Sequence, residues 1–165
     1  MLAVSDSTPL IHLAKINKIN YLQKLFEKVF IPKEVYNEII RGKDQSKKEV
    51  ALIEGFFNSF ITVKEVSTKI NLPSLHLGEL KAMSLCKELK IKNFLIDEKE
   101  GFDSAQIFGL NPLRTTSLLL ILLDKKIIGF DEYEKSLLNL SQSGYFLSAE
   151  TYNLLLKSGK NLKIH

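Results

Sequence analysis

The sequence predicts an α/β chain built around a parallel sheet, and three observations carry that prediction. Short apolar runs such as MLAVS, KVFI and NFLID alternate with stretches whose apolar residues recur at helical spacing. Strands that alternate with helices are joined by right-handed crossovers and so lie parallel in one sheet. No internal repeat, low-complexity tract or linker divides the chain, so one domain is expected over residues 1–165, with the helices from about 130 onward an extension of it.

The elements follow in order. MLAVS reads as a buried strand, and Ser7, Thr8 and Pro9 suit the start of a helix running to about Ile16. A short helix, YLQKLF, precedes the strand KVFI. Pro32 then opens the helix KEVYNEIIRG, which Gly42 stops. Lys43 to Lys48 is polar and reads as a loop or the start of a helix, and EVALIEGFFNSF has helical spacing. ITVKEV alternates as a strand does, and Ser67 to Pro73 connects it to a helix over Leu77–Lys90. The strand NFLID leads into a helix over Glu98–Phe108 that ends at Gly109. Asn111 to Thr115 holds a short strand, with Thr115 or Thr116 capping the next helix. SLLLILLDKK is apolar nearly all round, which fits a buried helix and leaves a buried strand open. Phe130–Gln142 is amphipathic, and Ser148–Lys157 closes the chain as a short helix.

Composition narrows the function classes. A hydrophobic content of 45% is too high for disorder. The apolar run Leu118 to Leu123 is too short to span a bilayer, which needs roughly 20 residues. Asp6 interrupts the apolar start and no basic segment precedes it, which argues against a signal peptide and for a cytoplasmic location. Cys86 is the lone cysteine, so neither an intrachain disulfide nor a cysteine zinc cluster is expected, and its helix context favours a buried thiol. The net charge of +4 is a mild pointer to a polyanionic partner. Every basic residue except Arg41 and Arg114 is lysine, and a lysine-rich solvated surface explains the charge equally well.

Four carboxylates stand out. Asp6 and Asp97 end apolar runs, while Glu38 and Glu79 lie in helices. In an open parallel sheet, ligands sit beyond the carboxyl ends of the strands. Acids brought together there would make an oxygen-ligand pocket suited to Mg²⁺ or Mn²⁺ and hence to phosphodiester hydrolysis. Taken singly, each has a plainer role. Asp6 and Asp97 suit helix caps, Glu79 suits a first helical turn, and Glu38 suits an exposed helix face. His12 and His76 lack the spacing of a metal pair and His165 is terminal, so zinc is not indicated. His12 suits packing or hydrogen bonding on the first helix. No phosphate-binding glycine loop or nucleophile elbow occurs, so no nucleotide cofactor is expected. Phe56, Phe57 and Phe60 suit core packing.

In this order and at these spacings, VSDSTPLIHLAKI, IPKEVYNEII, LGELKAMSLCKEL and LIDEKEG resemble the PIN-domain nucleases, most nearly a PIN-like branch of unassigned function found in archaea and bacteria. The resemblance extends through LLLILLDKKIIG and GYFLSAETYNLLLKSG. It implies a three-layer α/β/α sandwich around a mainly parallel sheet. It also implies a Mg²⁺- or Mn²⁺-dependent ribonuclease, in many members the toxin of a toxin–antitoxin pair. By position, Asp6, Glu38, Glu79 and Asp97 match the catalytic and metal-binding acids, and Glu98 adds a carboxylate beside them. Ser7 and Thr8 match small polar residues that contact the metal's water or a phosphate. RNA and an antitoxin protein are the implied partners, with no membrane and no nucleotide cofactor. The tail SLLNLSQSGYFLSAETYNLLL fits either a homodimer surface or the completion of the core.

Two positions depart from the branch. Phe102 stands where an arginine is usual, and Arg114–Ser117 replaces a glycine-rich turn. Arg114 is therefore a candidate substrate-binding residue, supplying from the loop the guanidinium that Phe102 lacks. A catalytically impaired scaffold that binds RNA or a protein is the main alternative. An aspartyl phosphatase ranks below it, because Thr8 stands where a second acid is needed.

Overall fold

The computed structural model describes residues 1–42, 46–67 and 70–163. Within them five parallel strands form one sheet. These are β1 (Leu2–Ser5), β2 (Lys28–Pro32), β3 (Ile61–Lys64), β4 (Asn93–Leu95) and β5 (Asn111–Leu113), in the spatial order β3-β2-β1-β4-β5. Around the sheet lie α1 (Ser7–Lys15), α2 (Leu22–Leu25), α3 (Lys33–Arg41), α4 (Lys47–Glu54), α5 (Leu77–Leu89), α6 (Lys99–Ile107), α7 (Thr115–Asp124), α8 (Phe130–Gln142) and α9 (Ala149–Lys163). The result is the parallel sheet that the sequence pattern predicts, within the α/β/α sandwich that the resemblance implies. No helix among the described residues is long and apolar enough to cross a membrane.

The period-2 alternation of the strands builds the layers. Ala3, Val29, Ile31, Ile61 and Leu95 point into one core, shared with α1, α3, α4, α7 and α8. Val4, Phe94 and Ile96 point to the other face, where α5 and α6 close a second core. The near-uniform apolarity of α7 is explained by its place. Leu118, Leu119, Leu122 and Leu123 are all buried in the first core, and α8 and α9 pack on it. β1 pairs with β2 on one side and β4 on the other, so strand order reverses at the β1–β4 boundary. Such a reversal opens a crevice at the carboxyl edge, between the two strands that lead to Asp6 and Asp97.

Several boundaries differ from the sequence reading. The helix expected through Phe60 stops at Glu54, and Gly55 and Asn58 lead a turn that packs Phe60 inward. The expected YLQKLF helix is a 3-10 turn (Ile19–Tyr21) followed by the four-residue α2. β4 ends at Leu95, since its partner β5 supplies only three paired residues. α9 continues to Lys163, past the expected end at Lys157. The loop read at Lys43–Lys48 and the connection Ser67–Pro73 lie partly outside the described residues, as does His165 entirely.

Candidate functional site

A cavity of about 510 Å³ opens at the carboxyl edge, lined by Asp6, Ser7, Thr8, Glu38, His76, Leu77, Glu79 and Glu98. Four of these are carboxylates and none is lysine or arginine. Asp6 is placed by β1, whose last pairing is continued by the Asp6 N–H donating to the Leu95 carbonyl at 2.9 Å. Asp6 is the N-cap position of α1 in extended conformation, yet its side chain makes no cap bond to that helix. Its Oδ2 accepts instead from the Thr8 hydroxyl at 3.0 Å. Ser7 donates to Glu38 Oε2 at 2.8 Å, tying α1 to α3. Ser7 and Thr8 thus act first as orienters of two acids.

Glu79 divides its two oxygens. Oε2 accepts the His76 N–H at 2.9 Å, half of a capping box that starts α5. Oε1 is buried and has no hydrogen-bond partner. Two glycines make room for these carboxylates. A Cβ at Gly78 would stand 2.3 Å from Glu38 Oε1, and one at Gly101 would stand 2.8 Å from Glu79 Oε1. The sequence carries both signals, a glycine beside an acid in LGEL and DEKEG, but does not say which acid each glycine faces.

The cavity is graded in depth. Asp6 and Glu79 are 4% exposed, whereas Glu38 and Glu98 stand at its exposed mouth. Burial drives the Asp6 carboxyl from 3.8 up to about 7, and the charges of Glu38 and Glu79 push the same way, against the opposing bonds from Ser7 and Thr8. Glu79 is raised as well, by burial first and more weakly by the charges of Glu98 and Glu100, against the bond from the His76 N–H and the charge of His76.

Asp97 is in a different setting. It does not line the cavity. Its Oδ1 accepts the Thr115 N–H at 2.8 Å and the Tyr145 hydroxyl at 3.0 Å, and its Oδ2 accepts the Thr115 hydroxyl at 2.7 Å. It caps α7 from another element, where the sequence reading has Thr115 or Thr116 as the cap and Asp97 capping the helix next to it. Burial raises its carboxyl, opposed by these bonds and by His12. His12 packs edge-on against Tyr145 with ring centroids 4.9 Å apart, and its buried Nδ1 is unpartnered. Arg114 is also away from the cavity lining, its guanidinium 4.6 Å over the Phe102 ring. The side chain at 114 therefore flanks the very helix position where the branch usually carries an arginine.

The donor chemistry fits a hard divalent cation, since the lining is carboxylate and hydroxyl oxygen with one buried oxygen unpartnered. The convergence is incomplete. Among the described residues no three His, Cys, Asp or Glu groups stand together in a geometry that holds one ion.

Comparisons with known proteins agree with this architecture. The family DUF3368, described as a PIN domain, matches residues 2–161. A solved PilT N-terminus domain protein from the hyperthermophilic archaeon Sulfolobus solfataricus P2 is similar in fold, with a TM-score of 0.51 at 18% identity over 72% of this chain and 90% of that one. No curated protein matches significantly.

Proposed function

This chain belongs to the PIN-domain family DUF3368, and on that premise we propose that it is a Mg²⁺- or Mn²⁺-dependent endoribonuclease that hydrolyses RNA phosphodiester bonds, serving as the toxin of a toxin–antitoxin pair. The PIN fold supports a nuclease-related function. The observation that carries the finer reading is the cavity at the strand-order reversal, lined by four carboxylates and, among the described residues, no lysine or arginine, with the unpartnered Glu79 Oε1 buried inside it. Without positive charge, such a group of acids is electrostatically unfavourable and repels a phosphodiester.

In this reading Asp6, Glu38 and Glu79 would hold the ion, while Asp97 stays tied to Thr115 and Tyr145. A bound divalent ion supplies charge neutralisation on the phosphoryl oxygens and a lowered pKa for water. The chain's own residues supply the rest. Thr8 and Ser7 hold Asp6 and Glu38 in place, each by its single hydroxyl proton. Asp6 keeps a proton on its buried carboxyl more tightly than an exposed acid does, so binding an ion there would require its release. Arg114 and the surface lysines attract the RNA backbone outside the acidic mouth. RNA, an antitoxin protein and a second copy of the chain are the partners this reading implies.

The test is cleavage of single-stranded RNA by the purified chain with Mn²⁺, with Mg²⁺ and with EDTA. Cleavage is expected only with metal, and Asp6→Asn is expected to lower the rate at least about 100-fold without lowering thermal stability. Cleavage that survives EDTA, or an unimpaired Asp6→Asn protein, overturns the reading. A second reading, a scaffold that binds RNA without cutting it, is favoured by the incomplete convergence of the acids and by Phe102. Retained RNA affinity with no cleavage under either metal selects it.

A further inference from the structure

The amino edge of the sheet, opposite the acidic cavity, carries a second cavity of contrasting chemistry. It is a half-open hollow of about 310 Å³ between the C-terminal half of α5 and the segments that lead into β4 and β5. Met83, Cys86, Ile91 and Leu110 supply apolar walls, and Phe108 stands at the opening, 48% exposed. Lys87, Lys90 and Lys92 are exposed around it, and no acid is among its lining residues.

Neither half of this arrangement is explained by stability alone. Lys87 and Lys90 at the end of α5 complement that helix's negative pole. Lys92 lies beyond the helix and outside that account, and a helix pole does not call for a hollow. Phe108, with Ile107 beside it at 84% exposed, leaves apolar surface in water at the same place. Small-molecule sites have this character, a concave, mostly apolar lining with a few placed polar groups that set orientation.

We propose that this cavity binds a small amphipathic anion, an apolar chain or ring bearing one carboxylate or a similar acid group. The apolar body lies against Met83, Ile91 and Leu110. The acid group stays at the mouth, where three ammonium groups and water solvate it, because a charge drawn inside would lose hydration without a buried partner. Selection against cations follows from the lysines, and selection against short acids follows from the apolar walls. The proposal does not depend on the nuclease reading, since its site and its readout lie at the other edge of the sheet.

The chain provides its own probe, because Met83 lines the cavity and Met1 is the only other methionine. In the full chain labelled at the methionine methyls, titration with octanoate is expected to shift the Met83 resonance saturably and leave Met1 in place. Acetate and octylammonium at the same concentrations are expected to leave both in place. The triple variant Lys87→Glu, Lys90→Glu, Lys92→Glu is expected to keep its Met83 resonance and bind octanoate at least about tenfold more weakly, as loss of several close charges requires. If that variant fails to fold, raising the salt on the wild-type chain serves instead, and octanoate binding is expected to weaken as screening increases. An unmoved Met83 methyl, equal binding of octylammonium, or affinity indifferent to both charge reversal and salt overturns the proposal. Tighter binding of a short peptide carrying one leucine between glutamates reassigns the cavity to a protein segment and overturns the small-molecule claim.

Discussion

Asp6 and Asp97 lie just beyond neighbouring strands of one sheet and follow similar apolar runs, yet their surroundings differ. Asp6 is 4% exposed and faces other acids, with the Thr8 hydroxyl as its one side-chain donor. Asp97 accepts three hydrogen bonds from two residues and joins β4 to α7 and to the segment before α9. Burial raises the carboxyl of both. The difference is in what accompanies burial. At Asp6 the bonds from Ser7 and Thr8 oppose the penalty but the charges of Glu38 and Glu79 add to it, while at Asp97 everything that accompanies burial, from Thr115, His12 and Tyr145, opposes it. A desolvated acid among acids is poised to receive a cation, whereas one saturated with donors acts as a structural tie.

The largest expected effect lies on the Asp97 side. Asp97→Ala strands the Thr115 N–H, the Thr115 hydroxyl and the Tyr145 hydroxyl, and is expected to destabilise the chain by ~2–4 kcal/mol in urea unfolding near neutral pH. A loss below ~1 kcal/mol would erase the distinction between the two acids.

The next effect has the opposite sign. The native chain holds the Asp6 proton more tightly than the unfolded chain does, with the carboxyl raised from 3.8 to about 7. Stability at this group is therefore greatest below its unfolded value and falls as pH rises through about 7. Asp6→Asn removes that decline and is expected to be more stable than wild type by ~2 kcal/mol at about pH 8, the gain shrinking toward about pH 4. Millimolar Mn²⁺ is expected to narrow the difference by stabilising wild type more than the variant. A variant that is less stable at about pH 8 than at about pH 5, relative to wild type, would show that the Asp6 charge is satisfied in the fold.

The smallest effect sharpens the comparison. Tyr145→Phe removes one of three donors to Asp97 and keeps the ring that packs on His12, so a loss of ~1 kcal/mol is expected from the same unfolding measurement. A loss as large as that of Asp97→Ala would place the whole tie in that single bond.

Much of the fold was legible because it depends on neighbours along the chain. The alternation in ITVKEV, the Pro32 start and Gly42 stop of α3, and the apolar face of α5 each express a local period or a local backbone constraint. The long apolar α7 could be recognised as buried but not placed, since its cover comes from α8 and α9. The site was legible as a set of acids at strand ends and helix starts. Which of them share the pocket was not legible. Glu98, read only as a carboxylate beside the pocket, lines it, and Asp97 does not. The stacking of Arg114 on Phe102 likewise joins two positions that the sequence reading treats as separate departures.

By itself, then, the sequence determined the α/β alternation, the parallel sheet and the kind of side chain available at its carboxyl edge, because periodicity and end signals act over a few residues. Only the tertiary structure decided which carboxylates share a cavity and which is tied off. The donors that settle Asp97 come from 18 and 48 residues away, and the glycine that makes room for Glu38 sits on another helix. A carboxylate's charge state and availability depend on what surrounds it within a few ångströms, and for these acids those surroundings are assembled by the packing of distant elements rather than by adjacent sequence.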